Sequence, residues 1–266
     1  MQSYRICSAL AGALFLVAPV VRAQTVERPT DSQVKKVIEA VDQTRDRFED
    51  QLDGKVKNGV IRSATGEVQV KGALEDFQKA VATLKSRFTD SYAASAEVEA
   101  LLRRGNALDA MIKGQPTGLK GASEWDQVAA ELKRLAAAYR AEFPLPEGAT
   151  VRRVNDAEAA AFAAAIATQA EQVKRAVNDD KTMAKPDKQA LTADVDAVIK
   201  QAKLLESRLK DGKPATADGR ALREKLAALL AEGRQLPPSV LSAIGSLRAP
   251  TQKLEMAFGV FAPATT

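Results

Sequence analysis

The side chains with which this chain could do chemistry are carboxylates and hydroxyls, because the sequence contains no histidine and a single cysteine, Cys7. It therefore lacks the commonest general base and the commonest zinc ligand. The densest carboxylate group has helical spacing and consists of Asp42, Asp46, Glu49, Asp50 and Asp53. Calcium or magnesium would need oxygens that converge from a loop or from facing helices. Because Arg45 and Arg47 alternate with the carboxylates, the pattern favours a solvated, salt-bridged helix face, and we predict no metal site and no cofactor.

One catalytic pattern is present, since Ser32-Gln33-Val34-Lys35 matches the S-x-x-K element of penicillin-binding enzymes. The accompanying S-D-N and K-T-G elements are absent from the sequence. The segment also stands at a predicted helix start, where Asp31 or Ser32 would serve as the N-cap. The sequence has no glycine-rich phosphate loop and no G-x-S-x-G elbow. We therefore predict no catalytic residue, no cofactor-binding residue and no metal ligand, and leave the ligand-binding residues open.

The basic residues give no sign of a nucleic-acid partner, because they are dispersed and the chain has only three tyrosines and one tryptophan to stack on bases. Trp125 and Tyr139 lie on an apolar helix stripe, and we assign them to the core. Contact with a membrane surface is disfavoured, since the polar helix faces mix both charge signs instead of being rich in lysine.

The N-terminus is typical of a secretory signal peptide. Arg5 precedes an apolar stretch over residues 6–21, and small residues before Gln24 predict a cut between Ala23 and Gln24. A membrane anchor is the alternative, but the stretch is short for a span and contains Pro19. Removal of residues 1–23 leaves a chain with neither cysteine nor histidine and no predicted transmembrane segment. We expect that chain in the periplasm or outside the cell.

Helical periodicity dominates the rest of the sequence. One apolar stripe consists of Val70, Leu74, Phe77, Val81, Leu84 and Phe88, spaced three or four residues apart. Ser123 with Asp126, and Asn155 with Glu158, have the spacing of capping boxes. The exception is the segment 60–70, which could form a hairpin around residues 64–66, although a plain loop is favoured.

The stripes repeat within the chain. The stripe of residues 70–88 returns 121 positions later as Leu191, Val195, Val198, Ala202, Leu205 and Leu209. Farther upstream the offset is 125, and Val41, Phe48 and Leu52 correspond to Ile166, Val173 and Val177. Leu101 and Leu108 recur 121 positions later, and the stripe over residues 125–139 recurs 119 positions later. Four segments in one order at nearly one offset predict an internal duplication.

The predicted fold is all-α, with two tandem pseudo-repeated four-helix up-down bundles, eight main helices in all. Helices are predicted over 31–53, 68–89, 94–112 and 122–142 in the first copy, and over 156–178, 186–211, 217–233 and 239–259 in the second. Pro250 should kink or divide the last one. The predicted divisions are a signal peptide (1–23), a short linker (24–30), the first bundle (31–143), a Pro/Gly linker (144–155), the second bundle (156–262) and a tail (263–266).

The segment Leu132-Lys133-Arg134-Leu135-Ala136-Ala137-Ala138-Tyr139-Arg140 is similar to the last helix of cytochrome b562-type bundles. The resemblance implies a shared architecture. It does not extend to haem binding, because the histidine that would ligate the iron is missing.

These patterns predict an exported protein with a non-catalytic binding or structural role in the cell envelope. Its partner would be another protein or a second copy of itself, and function would lie on one face or in the cleft between the copies. The alternatives are a lipid or apolar-ligand carrier, a periplasmic holdase, and a cell-wall or glycoside hydrolase that works through two carboxylates.

Overall fold

The structure, a computed structural model, describes residues 27–63, 66–115, 119–231 and 235–259. Over these ranges the chain is helical apart from connections and one short hairpin, which confirms the all-α fold class. The predicted signal peptide, its cut between Ala23 and Gln24, and the tail over 263–266 lie outside the described residues.

The first group of elements, called here the N-terminal unit, spans residues 31–138. It consists of α1 (Asp31–Gln51), α2 (Gly54–Lys57), β1 (Val60–Ser63), β2 (Gly66–Gln69), α3 (Val70–Arg87), α4 (Ser95–Lys113) and α5 (Ala122–Ala138). The four long helices pack in a ring, because α1 contacts α3 and α5, and α4 contacts the same two helices. Their apolar stripes meet inside the ring in one hydrophobic core.

Trp125 lies at the centre of that core, fully buried. Its ring packs at a tilt against Phe48, with 5.2 Å between centroids, and against Phe77, at 6.0 Å. The indole Nε1 donates a hydrogen bond of 2.9 Å to Asp109, so the one polar atom of the ring is satisfied. Tyr139 is buried as well, and its hydroxyl donates to the Ala93 carbonyl. Both aromatic residues belong to the core, as predicted.

The second group, the C-terminal unit, spans residues 156–258. It consists of α6 (Asp156–Asp179), α7 (Lys185–Lys210), α8 (Thr216–Leu230), α9 (Pro238–Gly245) and α10 (Arg248–Phe258). Helix α6 contacts α7, α9 and α10, and α8 contacts α7, α9 and α10, which again closes a ring around a separate core. The predicted last helix is divided at Ser246 and Leu247. Pro250 is the third residue of α10, where its missing N–H costs no intrahelical hydrogen bond.

The structure corrects the prediction of a plain loop over residues 60–70. Strands β1 and β2 pair antiparallel, with Ile61 opposite Val68. These two side chains are partly buried and pack on the core of the N-terminal unit. The hairpin forms because its β-branched residues gain an apolar surface to cover, a tertiary contact that the local sequence does not reveal.

The predicted helix caps are partly wrong. The N-cap of α1 is Thr30, which forms a capping box with Gln33, and neither Asp31 nor Ser32 takes that role. Ser123 lies inside α5, which begins after Gly121 in a left-handed conformation with φ of 98°. The Asn155 cap is confirmed, since its side chain accepts a 2.6 Å hydrogen bond from the Glu158 N–H.

Two adjacent leucines of α7 give a matched test of the packing. Leu205 is fully buried in the C-terminal core, whereas Leu204 is 45% exposed. We expect Leu205→Ala to lower the free energy of unfolding by about 2–5 kcal/mol through the cavity that it leaves. Leu204→Ala should change it by less than about 0.5 kcal/mol. Chemical denaturation followed by circular dichroism measures both, and equal losses would contradict the helix orientation described here.

Candidate functional site: an arginine-lined cleft between the two units

The carboxylates of α1 form an ion-pair network and not a convergent cluster. The buried guanidinium group of Arg45 contacts Asp42 at 2.6 Å, Asp46 at 2.7 Å and Glu49 at 3.4 Å. Lys85 of α3 pairs with Asp42 from the other side. Within the described residues, no group of three or more histidine, cysteine, aspartate or glutamate side chains is placed to hold a metal ion. Ser32 and Lys35 are both exposed in the first turns of α1.

The two units meet where α1 and α6 begin, and both places have the same pattern of an arginine, a second residue, a capping residue and an aspartate. Arg28-Pro29-Thr30-Asp31 leads into α1, and Arg153-Val154-Asn155-Asp156 leads into α6. Thr30 and Asn155 each cap their own helix, so that each aspartate becomes the first helical residue. This places both aspartates and both arginines at the boundary between the units. We call Arg28, Asp31, Arg153 and Asp156 the junction cluster.

The hydrogen bonds of the junction cluster are reciprocal. Arg28 pairs with Asp156, and Arg153 pairs with Asp31 at 2.7 Å. Each aspartate also accepts the backbone N–H of the other, with Asp31 donating at 2.8 Å and Asp156 at 2.7 Å. Arg28 reaches the carbonyl of Val154, the neighbour of Arg153, and Arg153 reaches that of Pro29, the neighbour of Arg28, both at 2.7 Å. Every one of these contacts links the two helix starts.

All four charges of the junction cluster are withdrawn from water, because their side chains are at most 10% exposed. Buried charges are tolerated only when they are paired and hydrogen-bonded, and here each carboxylate has both an arginine and a backbone donor. Each carboxylate also faces helix N-termini, whose positive dipole ends favour an anion. The pKa of Arg28 is lowered mainly by burial and secondly by the positive charge of Arg153.

A third arginine joins the units at the end of α5. Arg140 has a left-handed backbone with φ of 56°, which ends α5 at Ala138 instead of the predicted 142. Its guanidinium group donates to the carbonyls of Met256 and Ala257 in the last turn of α10, where the negative end of the helix dipole favours a cation. Gly259 has a left-handed backbone with φ of 68°, which favours glycine, and a Cβ there would lie 2.9 Å from the Arg140 Cζ, so the end of that side chain would have to shift.

These contacts border a cleft with a volume of about 940 Å³. Its described lining comes from the segments before α1 and α6, the ends of α5 and α10, and the first turns of α8. Six arginines line it: Arg28, Arg140, Arg152, Arg153, Arg220 and Arg223. The carboxylates in the lining are those of Glu27 and Glu224. The cleft is therefore biased towards positive charge.

The arginines of the cleft differ in what already neutralises them. Arg28 and Arg153 have the aspartates of the junction cluster, and Arg223 lies 3.6 Å from Glu255. Arg140 bonds to backbone carbonyls but to no described carboxylate. Partial withdrawal from water, followed by the charges of Arg28 and Arg153, lowers its pKa.

Arg152 and Arg220 are the cleft arginines that are open to a ligand. Both are exposed, and neither has a hydrogen-bond or ion-pair partner among the described residues. Their guanidinium groups offer planar forks of N–H donors that suit carboxylate or phosphate oxygens. A ligand with a negative charge would therefore find unoccupied donors here.

The sequence predicted a cleft between the copies as one place for function, but not the residues that line it. The signal that could have found them is the recurrence of arginine, a capping residue and aspartate at residues 28–31 and 153–156.

No protein-family model, curated protein or solved structure matches this chain. No helix in the described part of the chain is long and apolar enough to cross a membrane.

Removal of one carboxylate tests the junction cluster. Asp156→Ala leaves the Arg28 guanidinium buried without its partner, and we expect it to lower the free energy of unfolding by about 3–5 kcal/mol. The control is Asp196→Ala, which breaks the exposed ion pair with Lys174 and should cost less than about 1 kcal/mol. Denaturation curves of both variants decide the matter, and a loss for Asp156→Ala no larger than that of its control would contradict the role of the cluster.

Proposed function

We propose that this chain is an exported, non-catalytic binding protein of the cell envelope and that its ligand, which carries negative charge, occupies the cleft between the two units. The observation that carries the proposal is the pair of exposed arginines without a described partner, Arg152 and Arg220, among the six arginines around a cleft of about 940 Å³. Ligand sites are concave and combine a few convergent polar groups with apolar lining, and they occur preferentially at domain interfaces.

Binding is favoured over catalysis by the chemistry of the lining. Arginine remains protonated in proteins, so it holds and orients anions but does not act as a general base. The hydroxyl of Tyr139 already donates to a backbone carbonyl, and burial raises its pKa. Thr216 accepts the backbone N–H of Arg28 at 2.9 Å. A hydrolase would use Glu27 and Glu224, but both are exposed, whereas a general acid needs a desolvated carboxyl.

The internal duplication is part of the proposal. It is supported by the two helix starts, which share an arginine, a capping residue and an aspartate at the offset of 125 already indicated by the apolar stripes. It is further supported by the matching order in which helices contact one another in the two units. A fused pair of like units makes reciprocal contacts as the two halves of a symmetric dimer do, and a cleft then lies between them.

The proposed export has a direct test. Protein recovered from the periplasm or medium of the producing cells should begin at Gln24, because small residues precede the predicted cut. Intact-mass spectrometry reads the N-terminus. Recovery of the chain with residues 1–23 still attached would contradict export by cleavage.

Charge reversal at the two open arginines tests the binding site. The tagged chain and its Arg152→Glu/Arg220→Glu variant are isolated from the producer's own envelope fraction, and what each carries is identified by native mass spectrometry. We expect an anionic ligand on the unaltered chain and its loss from the variant, since two attractive charges become repulsive.

The matched control is Arg47→Glu/Arg104→Glu. It changes the net charge equally at two exposed arginines that do not line the cleft. The control should keep the ligand. Equal occupancy in all three proteins, or equal loss in both variants, would contradict the cleft as the site.

A further inference from the structure

We infer that the cleft takes an amphiphilic anion, a compact phosphate or carboxylate group attached to a short apolar chain. The inference rests on the proposed function and adds the chemical class of the ligand. Three features of the cleft carry it: the placement of open arginines, the apolar remainder of the lining, and the size.

The anionic group of the inferred ligand follows from the two open arginines of the cleft. Arg152 stands on the connection between the units and Arg220 in the first turns of α8, so they approach the cleft from different elements. Both are exposed and lack a described partner. Partial withdrawal from water, followed by the charges of Arg28 and Arg153, lowers the pKa of Arg140, and a negative charge that enters beside it would favour its charged form.

The apolar part of the inferred ligand follows from apolar side chains that line the cleft. Met256 is 45% exposed and lines the cleft, and the partly buried Phe258, from the same last turn of α10, also contributes to the lining. The Arg28 guanidinium covers the Phe258 ring at 5.6 Å, and Gly219 lies against it so closely that a Cβ there would approach to 3.0 Å. The ring is thereby fixed in place as an apolar wall next to cationic groups.

The cleft has more room than a bare inorganic ion would fill. A volume of about 940 Å³ is at the upper end of the range for small-molecule sites, roughly 300–1,000 Å³. An ion bound by the arginines would leave the exposed part of Met256 in contact with water. A hydrocarbon chain joined to the ion covers that part and adds the favourable free energy of apolar burial.

Isothermal titration calorimetry with three probes tests the inference on the purified chain: hexyl phosphate below its micellar concentration, inorganic phosphate and 1-hexanol. We expect hexyl phosphate to bind at least about tenfold more tightly than inorganic phosphate, because each buried methylene adds about fourfold. Hexanol should not bind measurably. Arg152→Glu/Arg220→Glu should abolish hexyl phosphate binding, and Arg47→Glu/Arg104→Glu should preserve it.

Met256→Ser probes the apolar wall without touching a charge. It should weaken hexyl phosphate binding severalfold and leave the affinity for inorganic phosphate unchanged.

Vesicles of phosphatidylglycerol distinguish a membrane lipid from a free amphiphile as the source of the ligand. Sedimentation with them that is lost on Arg152→Glu/Arg220→Glu indicates a lipid, and hexyl phosphate binding without sedimentation indicates a free, water-soluble amphiphile.

Equal affinities for hexyl phosphate and inorganic phosphate would overturn the inference, and so would binding of hexanol as tight as that of hexyl phosphate. If none of the probes binds but the envelope-derived ligand still depends on Arg152 and Arg220, the ligand class is wrong and the proposed function stands. If the envelope-derived ligand is also absent, both fail.

Discussion

The structure depends on two buried ion pairs that cross between the units at the junction cluster. Arg28 and Asp31 stand at the start of one unit, Arg153 and Asp156 at the start of the other, and each ion pair joins the two. The net free energy of such buried pairs is small, since desolvation offsets much of the attraction. Their effect is geometric, because the four buried charges are paired in this relative placement of the units, and a shift that separated them without exposing them to water would leave buried charge unpaired.

That placement determines the cleft. Because the segments before α1 and α6 are held against each other, the ends of α5 and α10 and the start of α8 face a common space. Arg140 reinforces the arrangement by binding the last carbonyls of α10 from the other unit. Asp156 and Asp31 neutralise Arg28 and Arg153. Arg152 and Arg220 are exposed and have no described partner. Arginines that hold the units together thus line the same cleft as arginines that are open to solvent.

Much of the fold could be predicted from the sequence, because apolar stripes at helical spacing report directly on the buried face. Leu84 and Leu205, from corresponding stripes, are both fully buried. The hairpin is the less favoured of two alternatives in the sequence because the packing of Ile61 and Val68 depends on a distant core. The predicted end of α5 lies too far along the chain. Arg140 adopts a left-handed backbone and contacts α10, and neither feature is visible in the local sequence. The sequence predicts a cleft between the copies but not the residues that line it. The contacts between residues 28–31 and 153–156 form only when both units are folded and packed against each other.

The central claim is that the junction cluster fixes the two units relative to each other. Cys7 is the one cysteine of the chain and falls within the predicted signal peptide, so spin labels can be placed at Lys79→Cys and Lys200→Cys, one on each unit. Double electron–electron resonance then measures the distance between the units. The account predicts one narrow distance distribution that broadens strongly when Asp31→Ala and Asp156→Ala are introduced together. A distribution that is broad from the start, or unchanged by both substitutions, would contradict it.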